Sequence, residues 1–296
     1  MRDLLAEHAS LERLATGFRW CEGPVWIPAT GRVRWSDVVG NSIHEFDPAS
    51  GASSVYRADS EYANGRTLDL DGSVIQCSHG RRRVERDRDG VLTAVADRWA
   101  EGRFNSPNDV VVSSDGAVWF TDPPYGIDPS GAEGHPGTSD YNGCYVFRVD
   151  PITGDTRPMI TDMVHPNGLA FSPDESLLYV ADTGYLQVDG AVGALRVYDM
   201  VTGRPVNGRE FARVRPGSTD GLRIDADGRI WSSSKDAVQV LSTFGEVLLT
   251  IPVPETVSNL AFGGDGFDLY ITATTSLYRI RTTVREARHP TRSAGR

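Results

Sequence analysis

Six polar residues recur at the head of six similar segments: Glu22, Asn64, Asn108, Asn167, Asp220 and Ser258. Brought to one point, they would offer two carboxylates, three carboxamides and a hydroxyl, with no thiolate or imidazole among them. Hard oxygen donors of this kind suit Ca²⁺ or Mg²⁺. Taken singly, an Asn or Asp before a strand often only satisfies nearby backbone N–H groups. Glu22 and Asp220 together are a different case, because two neighbouring buried carboxylates repel unless a cation or a proton neutralises them. Asn64 and Ser258 fit a pocket-lining role without binding metal.

What would bring these residues together is a repeat. The segments EGPVWIPATGRVRWSD, NGRTLDLDGSVIQCS, NDVVVSSDGAVWFTD, NGLAFSPDESLLYVAD, DGLRIDADGRIWSSS and SNLAFGGDGFDLYITA share one order: polar residue, alternating strand, turn, second strand. The six polar residues are spaced by 42, 44, 59, 53 and 38 residues. A third strand follows each, around Ile43–Phe46, Val84–Arg86, Val146–Val149, Leu195–Tyr198, Val238–Leu241 and Leu277–Ile280. Turns such as DRDG and DMVTG come next, and then an outer strand such as Thr156–Met159 or Glu246–Leu249. Four strands recurring at this interval are the mark of a propeller blade. The expectation is an all-β, six-bladed β-propeller with four-stranded blades, one domain over residues 1–296. Matching positions of different blades meet at the axis of such a ring, and the six polar residues lie just before the strands nearest it. Glycine follows in four of the six, at Gly23, Gly65, Gly168 and Gly221, as tight packing near an axis requires.

The ends and insertions are read separately. Leu11–Phe18 would supply the outer strand of the last blade and close the ring, and residues 283–296 would form a flexible tail. The long steps after the third and fourth polar residues hold insertions at Pro123–Gly143 and Thr183–Gly193, loops that in a compact fold are either disordered or shape a site.

Composition narrows the function classes. A net charge of −10 repels phosphate backbones and argues against nucleic acid as a partner. The Arg81–Arg83 run is expected to face solvent beside a turn. No apolar run is long enough to span a membrane, so no membrane association is expected. Cys21, Cys77 and Cys144 lack paired spacing and read as reduced core residues. The first twenty residues lack a signal-peptide pattern, which points to the cytoplasm, or to the periplasm if a leader has been removed. Neither a phosphate-binding loop nor a GxSxG nucleophile elbow stands in a suitable context, which disfavours redox, kinase and serine-esterase chemistry.

The segments CEGPVW, NSPNDVVV, WFTDPPYG, HPNGLAFSPD and STDGLRIDADG resemble the SMP-30/gluconolactonase/LRE family, six-bladed propellers that hydrolyse sugar lactones and related esters with one divalent cation. The resemblance runs over almost the whole chain. It implies cation ligands at Glu22, Asn167 and Asp220, with Asn108 contacting substrate or a metal-bound water. It also implies one divalent cation, Ca²⁺ first and Mg²⁺, Mn²⁺ or Zn²⁺ as alternatives. The expected reaction is hydrolysis of a small sugar lactone, D-glucono-1,5-lactone to gluconate, by water attack on a polarised carbonyl, with Asp220 as the catalytic base. Direct carboxylate attack, as assigned to phosphotriester-hydrolysing relatives, is the other mechanistic choice.

Arg103, Asn105, His79 and Tyr125 lie in segments that can approach the funnel mouth, and with Asn64 they complete the expected substrate-binding set. Arg and Asn suit a polyhydroxylated substrate, and Tyr125 suits packing against a sugar ring. Each has a plainer reading: Arg103 on the surface, Asn105 in a turn, His79 hydrogen-bonded in the core. This chain has RFNSPND where the family's animal members have an RFND-type segment, which blurs the residue taking the arginine's role. Asp109, beside Asn108, is expected by strand alternation to point elsewhere. The competing functions are hydrolysis of other lactones or organophosphates, and a noncatalytic metal-binding interaction propeller.

Overall fold

The computed structural model describes residues 4–287. Its strands form six four-stranded antiparallel sheets, five of which run outward from the ring axis in chain order, and a short two-stranded sheet of Arg98–Trp99 and Gly102–Arg103. The first blade comprises Cys21–Ile27, Arg32–Asp37, Ser42–Asp47 and Ala52–Ala58. The innermost strands of the next four blades are Ala63–Leu68, Val110–Val112, Pro166–Phe171 and Leu222–Ile224. In the sixth blade Val257–Gly263, Asp268–Ala273 and Ser276–Arg281 are joined by Glu12–Thr16, which pairs antiparallel with Ser276–Arg281 as the outer strand. The fold is therefore the all-β six-bladed propeller that the repeat implies.

Burial follows distance from the axis. The second strands are almost wholly buried, as in Val118–Asp122, whereas the outer strand Ala52–Ala58 is largely exposed. Apolar clusters fill the gaps between blades. Phe104, Phe120 and Phe147 pack with Ile75, Cys77 and Val84 between blades two and three, and Trp231 packs with Leu260, Phe262 and Ile271 between blades five and six. The gap between blades one and two has the smallest cluster, Val25, Ile27 and Val74. Beside it lies a charged layer in which Arg34 pairs with Glu45 at 2.7 Å and with Asp87 at 3.5 Å. Cys21 and Cys77 are buried free thiols, as expected, but Cys144 is only half-buried at the edge of its strand. The Arg81–Arg83 run is half-buried rather than solvent-facing, because Arg82 donates from Nε to the Phe104 carbonyl at 2.5 Å.

The expected tail from residue 283 is held as far as Ala287, whose N–H donates to the Ile224 carbonyl at 2.9 Å. Residues 288–296 of that expectation lie outside the described residues. The Pro123–Gly143 insertion is packed down. Gly126 N–H donates to Ser106 Oγ at 2.9 Å, and the Glu133 carbonyl accepts from His79 Nδ1 at 3.0 Å.

Candidate functional site

The six polar residues were expected just ahead of the innermost strands. Only Asn108 and Asp220 sit there. Glu22, Asn64, Asn167 and Ser258 lie inside those strands, where the pairing shifts register: between Glu22 and Val25, Ala63 and Arg66, Pro166 and Leu169, and Val257 and Asn259. A register shift of this kind bends the strand and re-aims a side chain. Glycines after Glu22, Asn64 and Asn167 let those three bulges press against the next blade. A Cβ on Gly23 (φ +53°) would lie 2.3 Å from the Asn64 carbonyl oxygen, and one on Gly168 would lie 2.2 Å from that of Asp220. Gly168 N–H donates to that Asp220 oxygen at 2.9 Å, and Gly65 N–H to the Asn108 oxygen at 2.8 Å. The polar residues are thus laced blade to blade around the axis.

Glu22 is buried, and its Oε2 accepts from Gly23 N–H at 2.6 Å and from Asn259 Nδ2 at 3.1 Å. Burial, then the neighbouring Asp109, pushes its carboxyl up to about 8, against the lowering effect of those hydrogen bonds. Asp220 is raised well above the usual carboxylate range by burial first, then by Glu22, Glu133 and Asp109. Asn167 lies within hydrogen-bonding reach of the Asp220 carboxyl and donates from Nδ2 to Thr183 Oγ1 at 3.1 Å. Glu22, Asn167 and Asp220 therefore share one electrostatic neighbourhood.

The donor chemistry fits a hard divalent cation. Among the described residues no Lys, Arg or His forms an ion pair with Glu22 or Asp220, although Asp109 and Glu133 raise both and Glu22 raises Asp220. Asn64 Oδ1 is buried without a hydrogen-bond partner, an oxygen acceptor left over beside them. No group of three or more His, Cys, Asp and Glu among the described residues could hold a metal. A site here thus rests on two carboxylates supplemented by carboxamide oxygens.

The other expected residues divide. Asn64 Nδ2 meets His79 Nε2 at 3.1 Å. His79 is fully buried and lowered to about 4 by burial, so it is neutral at pH 7 with both ring nitrogens engaged. That arrangement makes it a support for Asn64 rather than a free base. Tyr125 bonds Thr183 Oγ1 through its hydroxyl at 2.5 Å and lies edge-on to His165, with ring centroids 5.6 Å apart. Asp220 is among the charges acting on its hydroxyl, so Tyr125 stands within electrostatic reach of that carboxyl. Asn108 is buried and tied by its backbone to Gly65 and Thr121.

Among the described residues, no side-chain contact ties Asn105 or Arg103 to Glu22, Asn167 or Asp220. Asn105 Nδ2 donates to the carbonyls of Asp122 at 3.2 Å and Gly143 at 3.0 Å, while its Oδ1, like that of Asn64, is buried without a hydrogen-bond partner. Arg103 is exposed, with Nη2 3.4 Å from the Arg81 carbonyl. Ser258 staples the last blade to the first, its Oγ donating to the Cys21 carbonyl at 2.5 Å.

Three residues were missed or set aside. Asp109 does face the axis, since the regular strand begins only at Val110 and alternation does not reach it. Asn259 bridges Asp109 and Glu22. Comparing the position one beyond each polar residue, where these two replace glycine, would have found both. Glu133, pushed up to about 7 by burial and then by Asp128, comes from the insertion and has no repeat counterpart to reveal it.

The chain matches the SMP-30/Gluconolactonase/LRE-like region over residues 20–275. It is 32% identical to the gluconolactonase of Zymomonas mobilis, over 92% of this chain and 81% of that one. It is also 32% identical to the pentonolactonase XacC of Haloferax volcanii, over 87% of this chain and 82% of that one. Among solved structures, a gluconolactonase from Xanthomonas campestris superimposes with a TM-score of 0.88 at 35% identity, covering 95% of this chain and 91% of that one.

Proposed function

Since the chain belongs to the SMP-30/gluconolactonase/LRE-like family, we propose that it hydrolyses a small sugar lactone, D-glucono-1,5-lactone to gluconate, with one divalent cation. A lactonase-type hydrolase is the reading that its relatives support. The observation that carries the finer reading is the convergence of Glu22 and Asp220, two buried, raised carboxylates, the first acting on the second, with no ion-pair partner among the described residues. Glu22, Asn167 and Asp220 would hold the cation, Ca²⁺ first. When bound, the cation supplies Lewis-acid polarisation of the lactone carbonyl.

The chain's own groups do the rest. Asp220, as a carboxylate, accepts a proton from the attacking water while the water oxygen bonds to the carbonyl carbon. The ring C–O bond breaks, and the departing ring oxygen takes up that proton as a hydroxyl. Asn167 steadies the Asp220 carboxyl, and Thr183 holds Asn167 and Tyr125 in place. Tyr125 and Asn108 face the substrate, and Asn64, held by His79, offers it an amide.

The test is acid release from D-glucono-1,5-lactone after exhaustive chelation, then with each divalent cation restored and spontaneous opening subtracted. Turnover lost with the metal and regained with one ion is the expected result. No turnover in folded protein with any ion moves the assignment to another lactone, a phosphotriester or a binding role.

A further inference from the structure

Four of the six repeats place glycine directly after the polar residue, but the third and sixth place Asp109 and Asn259 there. Those two blades stand opposite one another in a six-membered ring, and their side chains meet across it. The Asn259 amide has one orientation that satisfies its neighbours. Its Oδ1 accepts from Leu260 N–H at 2.9 Å and lies 3.4 Å from Arg223 Nη1, so Nδ2 faces the two carboxylates. Nδ2 is 3.1 Å from Glu22 Oε2 and 3.3 Å from Asp109 Oδ2. Asp109 is itself fixed by Val110 N–H, which donates to Oδ1 at 2.9 Å. Both hydrogen bonds that Glu22 accepts fall on Oε2; among the described residues Oε1 has none.

We propose that Asn259 is a positioning residue for Glu22: its amide ties back Oε2 from the far side of the ring and leaves Oε1 as the oxygen presented to the cation. This rests on the reading of Glu22 as a cation ligand. Its physical basis is that a carboxylate pinned through one oxygen loses the freedom to rotate, and the cation then pays less ordering entropy on binding. Asp109 serves as the second acceptor that keeps the amide from swinging away. Asn259 is buried, and its Cγ would lie 2.1 Å from a Cβ on Gly221, so the amide occupies space that only a glycine at that position leaves open.

The experiment uses the full chain stripped by chelation and titrated with Ca²⁺ alone by calorimetry, with thermal melting in chelator run in parallel. Asn259→Leu removes the amide at similar bulk, and Asn259→Gly installs the residue that the four other repeats carry at this position, which protects the test if the leucine variant fails to fold. Both are expected to raise the Ca²⁺ Kd by about 10- to 100-fold, the usual effect of losing an outer partner of a metal ligand. A merely structural role would lower the melting temperature and leave the Kd of the folded protein unchanged. A Kd within about twofold of the parent in folded Asn259→Gly overturns the proposal, given that a tenfold change is 1.4 kcal/mol and easily read. Glu22→Gln separates the two failures. If it binds Ca²⁺ as the parent does, or if the parent binds none, the cation reading falls and the proposal with it; if Glu22→Gln loses binding and the Asn259 variants keep it, the proposal alone falls.

Discussion

His79 and Asn64 form a buried pair in which imidazole Nε2 meets amide Nδ2 at 3.1 Å while Nδ1 is committed to the Glu133 carbonyl. The pair ties the second blade to the insertion of the third, and it works only with a neutral ring. Burial holds the His79 pKa near 4, below its ordinary 6.5. A depressed folded value means that the unfolded chain binds the proton more readily. The stability from this ring is present above pH 6.5 and is lost as pH falls through 4. At 1.36 kcal/mol per unit, the loss by pH 4 is about 3 kcal/mol. His79→Gln should flatten the acid limb of a denaturation-midpoint profile between pH 6.5 and 4; an unchanged limb counts against the assignment.

Asp220→Asn keeps an oxygen donor and the shape of the side chain but removes the proton acceptor. It should fold with the parent's melting behaviour and lower kcat by about 10²- to 10⁴-fold, with cation still bound. Calorimetric Ca²⁺ titration beside steady-state lactone hydrolysis checks both halves. Normal turnover refutes the base role.

Gly168→Ala places a methyl group 2.2 Å from the Asp220 carbonyl oxygen and disturbs the 2.9 Å hydrogen bond between these residues. Overpacking of this kind costs about 1–3 kcal/mol. Because the atom displaced belongs to Asp220, activity should fall beyond what the loss of folded protein explains. Urea midpoints and specific activity, measured on the same preparation, separate the two effects.

Asp122 tests the loop that carries Asn108. Its carboxylate accepts from Asn105 N–H at 2.7 Å and Ser106 N–H at 2.8 Å, and from the Tyr141 hydroxyl. Asp122→Ala leaves two buried N–H groups unsatisfied, at about 1–3 kcal/mol for each lost partner. Hydrogen exchange at residues 105–108 should accelerate while that of the sixth blade stays slow, and KM should rise more than kcat falls.

Most of the ring was legible because its signal is repeated. The third-strand stretches Ile43–Phe46 and Leu277–Ile280 fall inside the observed strands Ser42–Asp47 and Ser276–Arg281, since alternating apolar residues there face filled gaps between blades. The outer stretch Glu246–Leu249 is displaced to Val247–Pro252 because Glu246 is used in the turn, where its carbonyl accepts from Ser242 N–H at 2.7 Å. The polar residues were found by type, but their bulges were not, because register depends on the partner strand. Asn105 illustrates the limit: its residue type suits a sugar, but only the folded loop shows that Asp122 O and Gly143 O claim Nδ2 and leave Oδ1 without a partner. Asp122 has counterparts in Asp37 and Asp182, which receive the Trp20 and His165 N–H groups at 2.9 and 3.0 Å, a recurring loop clasp visible only once the loops are folded.

The strand Glu12–Thr16 joins a sheet whose other members begin at Val257, and Glu22 meets Asn259 across 237 residues of sequence. A chain emerging from its N-terminus makes the first blade early but holds that blade's innermost carboxylate without its partner until the final blade is made. Contacts of such separation slow folding, because the long loop between them must close first. The Glu22–Asn259 contact is therefore made only when the last blade has been synthesised, and it is lost if the ring springs open, so one buried hydrogen bond records whether beginning and end are joined.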